Sequence, residues 1–420
     1  MFHFRNNLKW IFIAFGFANY ANADDYHYKN SLIGDRASGL GGAYTAVSDD
    51  PSGLFYNPAG IIYTSGTNMA ASMNSFQETT LTYEGVFGNR YNWERTSSTL
   101  IPNFFGIVQP VGKGVLGFSY AVPNSALEDQ DQIFHNITDS AERFIINFNN
   151  DDKTYNFGPS YAFEVNDRLS IGATLYFHLR QQQRTSNILI EYDTDARFWS
   201  NEYYELEEKG FRPILGFMWS PLDKVSIGGT ISQTFITDSE TTLYNTCEGA
   251  LGITYDASSF CQSSEINHRV LVDDTKADYP LNINLGVAYF KNKDLMLSAD
   301  LNYFESVSGD TTSEKASVIN FAFGAEYYYS PTIVLRGGIF SDMANTPDLK
   351  KNVTTYNQAE HIDLYGFSLS IGRFTRSSSL SAGLSYALGS GEAQIVSGDS
   401  TLQDAELKSL SIFLSTSNSF

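Results

Sequence analysis

The chain has little of several things, and each shortage excludes something. Only two of its 420 residues are cysteine and 11 are proline, and 27 Lys and Arg stand against 47 Asp and Glu. At a formal charge of −20 it lacks the cationic surplus that binds nucleic-acid phosphates or draws a peripheral protein to anionic lipid. Beyond the N-terminal segment no stretch approaches 18 consecutive apolar residues, so transmembrane helices are not expected. The six histidines are scattered, and no G-x-S-x-G elbow or H-E-x-x-H zinc motif occurs. Gly39-Leu40-Gly41-Gly42 lacks the lysine of a phosphate-binding loop and the G-x-G-x-x-G spacing of a dinucleotide fold. The acidic run Asn201 to Gly210 reads as a solvated rim or a divalent-ion bridge to lipopolysaccharide, and not as a glycosidase pair, because neighbouring carboxylates on a strand point to opposite faces. No enzyme activity, metal or organic cofactor is indicated.

What the sequence has begins at its ends. Arg5 and Lys9 precede an apolar run from Trp10 to Ala18, and Ala21-Asn22-Ala23 offers small residues at cleavage spacing. Residues 1–23 therefore read as a secretory signal peptide. An exported chain meets an oxidising compartment, so Cys247 and Cys261 are expected to form a disulfide that staples one loop. At the other end KSLSIFLSTSNSF closes on the aromatic Phe420, as outer-membrane barrels commonly do.

From residue 67 onward the chain reads in period two. In 169–192, Ile171, Ala173, Leu175, Phe177 and Leu179 share one face, while Thr174, Tyr176, His178, Arg180, Gln182 and Arg184 share the other. One face suits lipid and the other suits water. A mean hydropathy of −0.22 is compatible with this, since a transmembrane barrel averages its two faces to soluble values. Tight-turn residues recur at 111–114, 165–168, 221–224, 291–294, 330–331 and 376–379, and long polar segments lie between successive hairpins. Short turns at one end and long loops at the other are the outer-membrane pattern, and the punctuation gives about 14 strands over 67–420. The 31 Phe and 26 Tyr suit the aromatic girdles of such a barrel.

Residues 24–66 do not alternate and are dense in Gly, Ser, Ala, Pro and Asp, which suits a compact plug inside the barrel. Within them GLGGAYTAVSDDPSGLFYNPAGI resembles the amino-terminal hatch of the FadL family, with its characteristic elements at Asp49-Asp50 and Asn57-Pro58-Ala59. PNFFGIVQPVGKGVLGFSYAVPNS, INFAFGAEYYYSPTIVLRGGIFSD and LSAGLSYALG are similar to the family's second and third, tenth and eleventh, and thirteenth strands. The resemblance implies an all-β, 14-stranded barrel plugged by a hatch, transporting long-chain fatty acids or other hydrophobic molecules across the outer membrane. It further implies capture in an outer groove, a second site in the barrel, a shift of the hatch, and lateral exit at a kink in the third strand, where Pro123 lies.

A carboxylate ligand would need a cation beside an apolar tunnel. The candidates are His178, Arg180 and Arg184 in the fifth strand, where family members carry a carboxylate-binding arginine, together with Arg336 and Lys315, the latter at the family's basic position. Each could instead pair with a lumen acid such as Glu164, Asp300 or Glu326. The expected surroundings are outer-membrane lipid and lipopolysaccharide, and the expected state is a monomer. Hatch-like sequences also occur in barrels that serve secretion or surface attachment, which is the alternative reading; a water-filled porin is disfavoured by the hatch.

Overall fold

The computed structural model describes residues 26–29, 31–89, 91–137, 141–249, 260–261, 265–308, 314–353, 358–395 and 401–420. The expected signal peptide lies outside the described residues. No helix among those described is long and apolar enough to cross a membrane, and the fold is instead one antiparallel sheet closed on itself.

The sheet has sixteen segments. They are β1 (Asn68–Gly85), β2 (Tyr91–Val111), β3 (Gly114–His135), β4 (Ala141–Asn166), β5 (Leu169–Tyr192) and β6 (Arg197–Leu222). Next come β7 (Val225–Ser232), β8 (Phe235–Glu248), β9 (Ile266–Asp273), β10 (Asn282–Phe290) and β11 (Leu295–Phe304). The series ends with β12 (Val318–Ser330), β13 (Ile333–Asp342), β14 (His361–Phe374), β15 (Ser378–Ala393) and β16 (Gln403–Ser419). Both β7 and β8 pair with β6, one along 214–222 and the other along 199–211, so they are two halves of one stave. Likewise β9 continues the β8 ladder and β10 the β7 ladder. The barrel therefore has 14 staves. It closes where β1 meets β16, from Asn68 opposite Ser419 to Tyr83 opposite Ala405. The backbone N–H of Phe420 adds a bond to the Thr67 carbonyl at 2.9 Å.

Alternation places the side chains as the two solvents require. Leu116, Phe118, Leu175, Leu215, Phe217 and Leu285 stand exposed on the outer surface, with inward polar neighbours such as Ser119, Thr174 and Thr230. Toward the long-loop end the period stays at two but the polarity reverses. There Trp93, Phe134, Phe144, Phe148, Ile190 and Phe198 turn inward into one apolar cluster, and Glu94, Asn147 and Asn149 face out. Above the lipid the outer face meets water, so the apolar side chains move inside and cap the lumen. For that reason much of the chain expected as long polar loops is strand. Residues 124–135 and 141–152 supply the outer ends of β3 and β4, and 197–208 the start of β6. Cys247 and Cys261 are disulfide-bonded with Cα atoms 5.6 Å apart and pack into this cap.

The chain ahead of β1 fills the lumen. It forms two short helices, α1 (Asp35–Gly39) and α2 (Gly53–Tyr56), and a 3-10 turn at Pro58–Tyr63. Ile33, Leu40, Tyr44, Leu54 and Ile61 are fully buried against the inner wall.

Candidate functional site: the hatch and the lumen wall

The hatch is held by side chains from staves all round the barrel. Asp300 of β11 accepts from the backbone N–H groups of Tyr44 and Thr45 at 2.9 and 2.8 Å. Asn57 donates to the carbonyls of Thr45 and, across to the wall, Phe217 at 2.8 and 2.9 Å, while its own oxygen caps the turn by accepting from Ala59 N–H. Ser170 and Thr174 of β5 donate to the carbonyls of Ala59 and Leu54. Close approach needs glycine on the wall: a Cβ on Gly228 would lie 2.1 Å from the Thr45 oxygen, and one on Gly338 2.3 Å from the Leu40 carbonyl carbon. These contacts account for the asparagine and small residues of the hatch sequence as structural parts.

A buried charge cluster completes the anchorage. Glu326, 1% exposed, accepts from Arg36 at 2.7 and 2.8 Å and from Arg336 at 2.8 Å, and Arg336 also faces Asp35 at 3.5 Å. Arg36 further pairs with Asp49. Burial works against the Arg36 charge, but the carboxylates of Asp49 and Glu326 more than offset it and raise its pKa. Asp50 turns its carboxylate onto Ser52, closing a local turn.

The cations nominated from sequence occupy distinct situations. Arg180 pairs with Asp152 at 2.7 Å, Arg184 with Glu202 at 3.3 Å, and Arg336 with Glu326, so three of the five have wall acids as partners. Lys315 lies ahead of β12 in an isolated bridge with Val307, its ammonium 5.6 Å from the Tyr26 ring. His178 is different. Its Nδ1 is 3.1 Å from Asn156 Oδ1, yet its Nε2 is buried with no hydrogen-bond partner among the described residues. Of the candidate acids, Glu326 and Asp300 hold the hatch, whereas Glu164 is exposed.

Arg95 and Arg212 are inward wall cations absent from the sequence-based set, and Arg212 differs from the others in its surroundings. Arg212 of β6 stands directly opposite Tyr176 of β5, with its guanidinium 5.3 Å from the centre of the Phe55 ring of the hatch. Among the described residues no carboxylate lies within ion-pair distance of it. The available signal was positional: a basic residue on the inward row whose cross-strand neighbour is aromatic rather than acidic.

The wall beside this region is interrupted. Strands β2 and β3 pair from Phe104 opposite Ala121 down to Val111 opposite Gly114, and again at Ser97 opposite Glu128, but not between. The register at Ser97 is the same as below, so the ladder is open over equal lengths, 98–103 and 122–127, and it does not resume beyond Ser97 and Glu128. On its other edge β3 carries a bulge against β4 between Ala121 and Asn124, where Pro123 sits. Proline has no N–H to give a ladder, and Pro102 lies on the facing strand. Above the gap Arg95 and Glu128 form a bidentate pair, both bonds 2.9 Å and both side chains buried. Behind it Ile33, Phe104 and Ala121 pack with Phe55 and Tyr56, and Asn103 donates to the Leu32 carbonyl of the hatch at 3.0 Å. A cavity of about 40 Å³ lies between the hatch and β13 to β16, lined by Lys29, Leu32, Phe340, Leu364 and Phe413 among others. It is well below the roughly 150 Å³ that accommodates benzene, so a hydrocarbon there would require hatch or side chains to move.

A closed barrel with an apolar outer belt and a hatch bolted inside it places the chain in the class of outer-membrane β-barrels. No family model and no curated protein matches the sequence. Among solved structures the chain is similar to a FadL homologue of Pseudomonas aeruginosa, with a TM-score of 0.62 and 15% identity over 94% of this chain and 100% of that one. It is similar also to the toluene transporter TodX of P. putida, at 0.63 and 12% over 94% and 99%. The Ralstonia pickettii toluene transporter TbuX gives 0.61 and 12% over 94% and 99%. At these identities the shared property is the fold, and in fold this is a FadL-like barrel.

Proposed function

We propose that this protein lets hydrophobic molecules across the outer membrane by facilitated diffusion, with the ligand leaving sideways through the β2–β3 gap. The observation that carries the reading is the interrupted β2–β3 ladder, backed by an apolar and aromatic cluster shared between hatch and wall. A water-filled pore would need a polar, open lumen, whereas here the outer mouth is capped by aromatic side chains and the interior by the hatch. A molecule that leaves through the side of the barrel enters lipid directly and avoids water. Transport of toluene by barrels of the same fold is in keeping with this.

The ligand class is long-chain fatty acids or aromatic hydrocarbons and their derivatives. Because Arg180 and Arg184 are matched by acids, we place ligand contact at His178 and Arg212 and give the paired arginines the task of holding the wall. Pro123 marks the exit, and Asp49, Asp50, Asn57, Pro58 and Ala59 form the hatch whose movement opens the route. Bilayer lipid and lipopolysaccharide surround the belt and rim. Cells lacking the protein should take up toluene or long-chain fatty acid more slowly, and unchanged uptake across several such compounds would refute the proposal.

A further inference from the structure

We infer that the outer face of β4 to β6, well above the lipid, is a binding site for an anionic saccharide, the core sugar chain of the surrounding lipopolysaccharide. The outer end of the barrel is lopsided: β3 to β6 are 22 to 26 residues long, whereas β10, β11 and β13 have 9 or 10. The long strands stand as a palisade, and one outward row on it departs from the polar pattern. Ile133 is opposite Ile145, Ile145 opposite Leu189, and Leu189 opposite Trp199. The exposed belt ends far below, at the aromatic row of Phe157, Phe177 and Phe211. With a rise of about 3.3 Å per residue and a strand tilt of about 40°, Trp199 stands roughly 30 Å above Phe211. No hydrocarbon reaches that height; in an outer membrane the layer there is saccharide.

Three features of this face suit a charged sugar. First, Trp199 donates from Nε1 to Asn187 Oδ1 at 3.0 Å, which fixes the indole as a platform on which the C–H face of a pyranose can pack. Second, on the lipid side of that platform Asn147 is opposite Asn187 and Asn187 opposite Asn201, so a line of planar amides is placed to donate to and accept from sugar hydroxyls. Third, on the side away from the lipid Arg143 and Arg197 share the single carboxylate of Glu191, Arg197 at 3.8 Å, and their side chains remain 43% and 71% exposed. Two guanidinium groups to one acid make a local positive excess on a chain of charge −20, and their planar forks match a sugar carboxylate or phosphate. Successive outward rows are about 7 Å apart, so amide, indole and guanidinium rows together span two or three sugar units. A neutral hydrophobic molecule would leave both polar rows unmatched.

The test is calorimetric titration of the purified full-length protein, freed of lipopolysaccharide in detergent. The probe is the core oligosaccharide released from rough lipopolysaccharide by mild acid, which keeps carboxylate and phosphate groups but carries no lipid A. It should bind at least about tenfold more tightly than maltoheptaose, a neutral saccharide of similar size, the margin that one charge-assisted hydrogen bond supplies. Trp199→Ala, and separately Arg143→Gln with Arg197→Gln, should each weaken binding at least about fivefold, while Trp199→Tyr, which keeps a ring, should recover part of the loss. Retained heat-modifiable mobility on gels shows that the variants are folded. Lipid A added as a competitor should leave the oligosaccharide affinity unchanged. No binding of the oligosaccharide, equal affinity for maltoheptaose, or an affinity untouched by both sets of variants would each overturn the inference. Displacement by lipid A would also overturn it, and so would a concentration-dependent dimer lost in Trp199→Ala, which would make the face a contact between copies. The transport reading is tested separately by uptake and stands or falls without this site.

Discussion

Glu326 shows how much a single residue does inside the barrel. One carboxylate at 1% exposure satisfies Arg36 from the hatch and Arg336 from the wall. Replacing it with glutamine leaves two guanidinium groups buried beside each other with one acid fewer, and breaking a buried pair in this way costs about 3–5 kcal/mol. Glu326→Gln should therefore lower the temperature at which the folded barrel loses its heat-modifiable mobility; an unchanged transition would mean that the hatch is held elsewhere. Gly338 makes a second, steric test. Gly338→Val would drive side-chain atoms into the Leu40 carbonyl, an overpacking cost of about 1–3 kcal/mol that the hatch can relieve by moving. Faster entry of a small hydrophilic solute into proteoliposomes is the expected outcome. The roles of these residues were only partly readable from the sequence. The inward row of β5 was legible from alternation, but which acid meets which arginine depends on register between distant staves. Arg212 stands out only once Tyr176 is known to face it.

At the scale of elements, the tight turns and the lipid-facing rows were legible because one face meets hydrocarbon for the whole width of the belt. The outer halves of the strands were not. There the apolar side chains turn inward and the outward row becomes polar, as in β4 with Phe144, Ile146 and Phe148 inside and Asn147 and Asn149 outside. Polar stretches such as 124–135 and 141–152 consequently looked like loops, although the period of two persists in them. The breaks between β7 and β8 and between β9 and β10 were equally hidden, since a stave can pause without a change in composition. The disulfide belongs to this capped outer region. Its Cys247–Cys261 bridge spans 14 residues, which in the chain-entropy model corresponds to about 3 kcal/mol. Reduction should speed amide hydrogen exchange in β8 and β9 while leaving β14 to β16 unchanged; uniform acceleration throughout the barrel would show that the bridge supports more than the cap.

For the whole molecule, the fold divides three tasks among three layers. The belt of exposed leucine and phenylalanine meets the lipid, the hatch and its ion pairs block the lumen, and the aromatic cap shuts the outer mouth to water. Against that closed background β2 and β3 pair only over 104–111 with 114–121 and at Ser97 opposite Glu128, and neither Pro123 nor Pro102 has an N–H to extend the ladder. The 14-stave count and the hatch were legible in the sequence because both are periodic or compositional features. The gap was visible there only as a proline near a strand end. The most direct test is to tie the gap shut. Thr99→Cys with Ala126→Cys places thiols on its two sides, and a short bifunctional crosslinker would join them without touching the hatch. Toluene uptake by proteoliposomes should fall at least about tenfold on crosslinking and recover when a cleavable linker is cut, whereas uptake that continues unchanged with the crosslink verified would contradict lateral exit.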